Sequence, residues 1–246
     1  MSDSGLTLCE RCGYDLAGLT AEPACPECGK PVAESLPEHR TGTPWQRRPG
    51  VVSWFATARL VLGHPKAVWE QVQPEIRRST MLLVVNLGLG ATAATLGILI
   101  KGPTMKAASP AYAGLFFILA FDLLLLLTAI EALGISFFGK RRRWRINRYV
   151  AIAICAHASI GWAIAGAGVA AGWHLSQRIN SNGLVRLIDR LSGARLLLSS
   201  YDIAVTLTFA LPAIGLITGL MVFETLVYFG MRRMRFANGG RRNWAG

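Results

Sequence analysis

The sequence predicts a small cysteine-rich module joined to an all-α polytopic membrane helix bundle with four transmembrane helices. Three observations predict it. The chain of 246 residues is 52% hydrophobic and only 16% charged, with its apolar residues gathered into four long blocks. Basic residues cluster at the edges of those blocks. Four of the five cysteines fall in two matching turns near the start. A single water-soluble core does not have this pattern, and neither does a disordered chain, which would be poor in apolar residues.

Residues 1–35 are polar and turn-rich. Cys9-Glu-Arg-Cys12-Gly13 and Cys25-Pro-Glu-Cys28-Gly29 are equivalent Cys-x-x-Cys-Gly turns. Two cysteines three apart reach one metal from a tight turn, and the following glycine allows the left-handed backbone needed there. Two such turns facing each other supply four sulfurs. Cys9, Cys12, Cys25 and Cys28 therefore form a candidate tetrahedral site with Zn²⁺ as the expected ion. Four thiolates leave no open coordination position, so the expected role is structural. A module this small needs such a cross-link to fold. The sequence-level fold is thus a small zinc ribbon plus the membrane bundle. The rival chemistries are a pair of disulfides and a single-iron centre. Met1-Ser-Asp-Ser-Gly lacks a signal-peptide pattern, which predicts a cytosolic location and disfavours disulfides.

Residues 36–52, with Pro37, Gly42, Pro44, Pro49 and Gly50, read as a linker. Residues 53–78 read as amphipathic helices on the cytosolic membrane face, the first through Trp54, Ala58, Val61 and Leu62, the second opened by Pro65. Packing of these helices against the ribbon is the alternative. Residues 79–231 are the four-span domain. The spans lie between Arg78 and Lys101, Lys106 and Lys140, Arg148 and Arg178, and Asp202 and Arg232. Each exceeds the roughly 20 residues that cross about 30 Å of hydrocarbon. Pro212 predicts a kink in the fourth. Leu184, Leu187, Ile188, Leu191 and Leu198 give the 178–200 loop an amphipathic helical pattern. Residues 232–246 form a basic tail.

The net charge is +12, from 26 basic and 14 acidic residues. Basic residues at the edges of apolar blocks indicate membrane topology rather than nucleic acid, and no nucleic-acid partner is expected. Lys140, Arg141, Arg142, Arg143, Arg145 and Arg148 lie between spans two and three, and Arg232, Arg233 and Arg235 follow span four. Positive loops stay inside, which predicts both termini in the cytosol and, for a bacterial cell, the inner membrane. The expected partners are the bilayer, a cytosolic or membrane protein, and a second copy of the chain.

Ionisable residues inside spans are functional candidates. Glu131, His157 and Glu224 lie eight or nine residues from the basic boundary, on the order of 12–14 Å in a helix. A carboxylate–imidazole cluster of these three is the expected intramembrane site, for an ion, a proton or a lipid headgroup, with hydrogen-bonded helix contacts as the plainer alternative. Asp122 points away from Glu131, since nine steps of about 100° amount to half a turn. Ala153, His157, Gly161 and Ala165, with Gly168 and Gly172 beyond, form a small-residue stripe that places span three against protein. Cys155 reads as a packing residue. No phosphate loop, Rossmann fingerprint, HExxH sequence or serine elbow is present, so no enzyme is expected.

Cys9-x-x-Cys12-Gly13-Tyr14-Asp15-Leu16-x-Gly18-Leu19 with Cys25-Pro26-Glu27-Cys28-Gly29 resembles the short zinc ribbons that head many planctomycete-type bacterial proteins. His64-Pro65-x-x-Val68-Trp69, the basic loop running into Asn147-Arg148-Tyr149 and the small-residue span after it resemble bacterial Yip1-domain membrane proteins. That likeness implies a non-enzymatic scaffold or adaptor. The chain departs from the family in having four spans rather than the five of eukaryotic relatives, and in lacking an Asp-Leu-Tyr-Gly-Pro motif. No site residue carries over. The alternative function is a small transporter or lipid-handling protein using Glu131, His157 and Glu224.

Overall fold

The computed structural model describes residues 7–19, 23–99, 110–181 and 200–238. Among these the chain is helical, with no strand. The helices are α1 (Pro44–Arg47), α2 (Val51–Gly63), α3 (Pro65–Gln71), α4 (Ile76–Leu99), α5 (Pro110–Arg141), α6 (Arg148–Ala158), α7 (Ile160–Ser181) and α8 (Ser200–Arg233). Four stretches are long and apolar enough to cross a membrane: Ile76–Gly97, Pro110–Arg141, Arg148–Asn180 across α6 and α7, and Ala204–Arg233. They coincide with the four predicted spans. Residues 182–199 of the predicted amphipathic loop, and the tail beyond Asn238, lie outside the described residues.

The chain forms two compact units. One contains Met1–Val84, Leu127–Ser159 and Glu224–Gly246; the other contains Val85–Leu126 and Ile160–Phe223. This division cuts across the expected order of ribbon, linker, surface helices and bundle.

In the first unit the segment read as a linker is folded. Thr43 caps α1 through a capping box with Gln46, and Pro44 occupies the first helical position. Arg40, Thr43, Trp45 and Gln46 are all buried. Its prolines and glycines shape tight turns around polar side chains that find partners, rather than a solvated tether. Trp45 donates from Nε1 to the Arg78 carbonyl at 2.9 Å, and Gln46 donates from Nε2 to the Gln73 carbonyl at 2.8 Å.

Pro65 opens α3 as expected. Val68 and Trp69 are fully buried. A Cβ at Gly230 would touch Ile154 and Trp69, so α3 and α6 both come close to the end of α8 there. In α2, Thr57 and Val61 face inward, while Val51, Val52, Phe55 and Leu62 are exposed. That exposed apolar face fits a helix lying at a membrane surface.

The second unit is built on α7 and glycine. On α7, Gly161, Ala165, Gly168 and Gly172 meet α8 at Phe223, Gly219, Gly215 and Leu211. Trp162, Gly166 and Ala170 meet α4 at Gly90 and Gly97. A Cβ added at Gly90, Gly97, Gly166 or Gly215 would collide with the neighbouring helix. Small residues on both sides of α7 let two backbones approach it, which is how helices gain contact where lipid offers no hydrophobic driving force. The third span is accordingly 78% buried in its most apolar stretch, against 11% for the second and 6% for the fourth. Trp162 stacks on Phe223 with centroids 4.7 Å apart. The helix continues through Pro212, whose nitrogen faces Gly172.

Candidate metal centre and polar hub

The two cysteine turns have the same backbone. The amide of Gly13 donates to the Cys9 carbonyl at 2.8 Å, and the amide of Gly29 donates to the Cys25 carbonyl at 2.9 Å. Cys9 and Cys25 donate in turn to the Tyr14 and Lys30 carbonyls, each at 2.8 Å. Isolated bridges, Leu8 with Asp15 and Ala24 with Pro31, close each turn. Gly13 and Gly29 have φ of 83° and 70°, the left-handed region that glycine enters without strain.

These turns bring the four sulfurs within 4.8 Å of one another. The Cys9–Cys28 separation is 3.5 Å and the Cys12–Cys25 separation 3.7 Å. Sulfurs held about 2.3 Å from one tetrahedral Zn²⁺ stand about 3.8 Å apart, whereas a disulfide closes to about 2.05 Å. The donor set therefore fits one metal ion, and all four cysteines are free thiols. Burial raises the Cys9 thiol, but hydrogen bonds from the Cys12 and Arg11 amides and from the Cys28 and Cys12 side chains outweigh it and bring it down to about 7. Burial and the neighbouring cysteines push the Cys12 thiol up to about 12. Four thiols this close resist joint ionisation, and a divalent cation relieves that resistance. Gly29 opens onto free space, whereas the Phe236 ring lies against Gly13.

The module is built into the first unit. Glu10, between two cysteines of the first turn, receives Nε and Nη2 of Arg40 at 2.7 and 2.9 Å. Arg40 is 1% exposed, and its remaining Nη1 donates to the Trp69 and Val72 carbonyls at 2.8 and 2.7 Å. Asn238 donates its amide to Glu10 at 3.1 Å and its side chain to the Leu8 and Ser35 carbonyls at 2.6 and 2.7 Å. Its Oδ1 accepts from Leu8 at 3.2 Å. The Glu10 amide donates to Ser35 at 3.2 Å. A buried charge pair persists where its remaining lone pairs and protons are satisfied, as here. One polar hub thus joins the first cysteine turn, α3 and the segment after α8. The cysteine module is docked, not tethered.

His157 is buried at 1% exposure. Its Nδ1 donates to the Ala153 carbonyl at 2.8 Å, since a carbonyl only accepts. Its Nε2 then accepts from the Thr43 hydroxyl at 3.1 Å. The ring stands edge-on to Trp69 at 6.2 Å. Glu131 is half-buried and Glu224 exposed. These two carboxylates lie within electrostatic reach of each other and of Cys155, which is buried. His157 is engaged with the segment before α1. Burial on the small-residue stripe agrees with the sequence; its partners do not follow from it. Ser159 donates to the Ala156 carbonyl at 2.7 Å.

Glu10, Arg40 and Asn238 were not picked out by sequence reasoning. Glu10 and Arg40 are 30 residues apart and Glu10 and Asn238 are 228 apart, and all three sit in segments of polar composition. No family model, curated protein or solved structure matches the chain.

Proposed function

We propose that the chain is a non-enzymatic multi-pass membrane scaffold, in the manner the Yip1-like resemblance implies, with a cytosolic platform held together by one structural Zn²⁺. The observation that carries this reading is the docking of a four-cysteine site onto α3 and the segment after α8 through Glu10, Arg40 and Asn238. Four protein sulfurs leave no place for substrate, which suits folding and binding rather than turnover. The basic 142–147 loop and the segment after α8 contact each other where the Arg145 amide donates to the Arg235 carbonyl at 2.8 Å, and the cysteine module joins them through Asn238. Positive loops stay inside, so the platform faces the cytosol. Its exposed Tyr14 and Glu27 offer a surface to a protein partner.

The test is crosslinking in native membranes followed by mass spectrometry. A tagged chain is compared with Tyr14→Ser/Glu27→Gln, which leaves the cysteines in place. A partner recovered with the first and lost with the second supports the scaffold. Identical recoveries from both overturn it.

A second reading, ion or lipid handling, rests on Glu131 and Glu224 lying within electrostatic reach of each other. Glu131→Gln/Glu224→Gln in proteoliposomes tests it: lost flux with unchanged stability supports transport.

A further inference from the structure

Two clefts open side by side in the first unit, with volumes of about 730 and 430 Å³. Tyr228, Arg232 and Arg235 line both and form their common wall. Lys66 of α3 closes the larger cleft, and Arg142 with Trp144 closes the smaller. The larger volume lies within the usual range of ligand pockets and leaves ample room for a phosphate-bearing headgroup.

The charge in the larger cleft is unbalanced. Of its three carboxylates, Glu10 is held by Arg40, and Glu70 accepts from Arg233 at 2.8 Å. Glu34 is the third, against Arg11, Lys30, Lys66, Arg232 and Arg235, of which Lys30 also reaches Glu10 at 4.0 Å. The guanidinium groups are also held in place. Arg232 lies over the Tyr228 ring at 5.6 Å and donates to its hydroxyl at 2.8 Å. Arg235 lies over Phe236 at 5.4 Å and donates to the Arg11 carbonyl. Arg142 sits 5.2 Å above Trp144. Like charges fixed close together repel, and an anion between them removes the repulsion. Planar guanidinium forks match phosphate oxygens in pairs.

Position selects the kind of phosphate. The clefts lie at the last turn of α8, at the end of a membrane-spanning stretch. Tyr228 is 55% exposed and Phe138 52%, on helices whose outward faces are apolar. Aromatic rings beside arginines at a span end mark headgroup depth. We infer that this paired cleft binds the phosphate of an anionic glycerophospholipid, with Arg232 and Arg235 gripping the phosphate and Lys66 completing the charge. The inference requires the membrane reading but not the scaffold reading.

The experiment uses the full chain, purified in detergent and stripped of lipid. Native mass spectrometry first counts phosphatidylglycerol and phosphatidylcholine retained by the unsubstituted protein. Thermal unfolding is then followed with each lipid and with inorganic phosphate, for the native protein, for Lys66→Gln/Arg232→Gln, and for Arg48→Gln/Arg59→Gln, which removes equal charge outside the clefts. The expected result is retention of phosphatidylglycerol over phosphatidylcholine by at least tenfold. Its protection of several degrees should survive in Arg48→Gln/Arg59→Gln and vanish in Lys66→Gln/Arg232→Gln. Equal protection by inorganic phosphate would keep the phosphate site and overturn the lipid as its source. Equal retention of both lipids by the native protein would overturn the proposal whether or not any variant folds, as would equal protection of all three proteins.

Discussion

Glu10 and Arg40 form a two-pronged ion pair in which the arginine is buried and its third nitrogen bridges two carbonyls at the end of α3. The pair links the first cysteine turn to the end of α3. Buried pairs of this kind are weak net stabilisers, but removing one partner is costly because the other is left an uncompensated charge.

Arg40→Met should therefore cost about 3–5 kcal/mol, since it strands the Glu10 carboxylate. Glu10→Leu combined with Arg40→Met should recover a large part of that loss. Equilibrium unfolding in detergent reads both. A double variant no more stable than Arg40→Met would show that the hub acts through its hydrogen bonds to Trp69 and Val72 rather than through charge.

Removing the metal tests the four-cysteine site directly. The purified chain should carry one zinc per molecule, and Co²⁺ should replace it with the absorption of a tetrahedral thiolate site. Chelation should loosen the polar hub as well as residues 7–36, because Leu8 and Glu10 hold Asn238. Hydrogen exchange at Arg40 and Asn238 should rise on chelation. Exchange confined to the cysteine turns would separate the module from the hub. Folding energy in such modules is largely metal-binding energy, and cysteine ligands make it depend on the ion.

Much of this was legible in the sequence. Four spans follow from unbroken apolar runs, since a bilayer imposes a length that composition alone reports. The cysteine site follows from spacing, because a tetrahedral ion constrains four sulfurs. The small-residue stripe from Gly161 to Gly172 placed span three against its neighbours for the same kind of reason. Arg40 was not legible. A buried arginine looks like a solvated one until its partners, from sequence positions 10, 69 and 72, are in place. The segment from 36 to 52 misleads in the same way: proline and glycine mark turns, and turns serve a folded polar core as readily as a linker.

The close approach of α4, α7 and α8 sets a limit on side-chain size. Gly166→Val should destabilise the chain by about 1–3 kcal/mol or more, as inserted methyl groups in a packed interior do. A Cβ there meets the Gly90 backbone, which has no side chain to move aside. Gly114→Val, where nothing lies within reach, is the control. Equal thermal stability of the two variants would mean that α4 and α7 do not touch at Gly90.

Gly13 and Gly29 share a backbone conformation but not their surroundings. Alanine at either should cost roughly 1–2 kcal/mol for the left-handed backbone. Gly13→Ala should cost more, since its methyl would stand 2.8 Å from the Phe236 ring. Phe236→Ala should erase the excess. Equal costs at the two glycines in a metal-loaded unfolding series would show that Phe236 does not sit on the first turn.

Thr43 and His157 test whether the buried histidine of the third apolar stretch belongs to a relay or to the fold. Thr43→Val leaves the buried Nε2 without its donor and should cost about 1–3 kcal/mol. Part of that is the lost helix cap, worth about 0.5–2 kcal/mol in general, so single variants do not isolate the bond. A double-mutant cycle with His157→Leu does, and a direct contact should give a coupling of about 0.5–3 kcal/mol. The same cycle between His157→Leu and Glu224→Gln should be additive within about 0.5 kcal/mol, the behaviour of groups that share no partner. Coupling of His157 to Glu224 that exceeds its coupling to Thr43 would support the three-residue cluster. The reverse makes His157 the hydrogen-bonded post on which the segment before α1 rests.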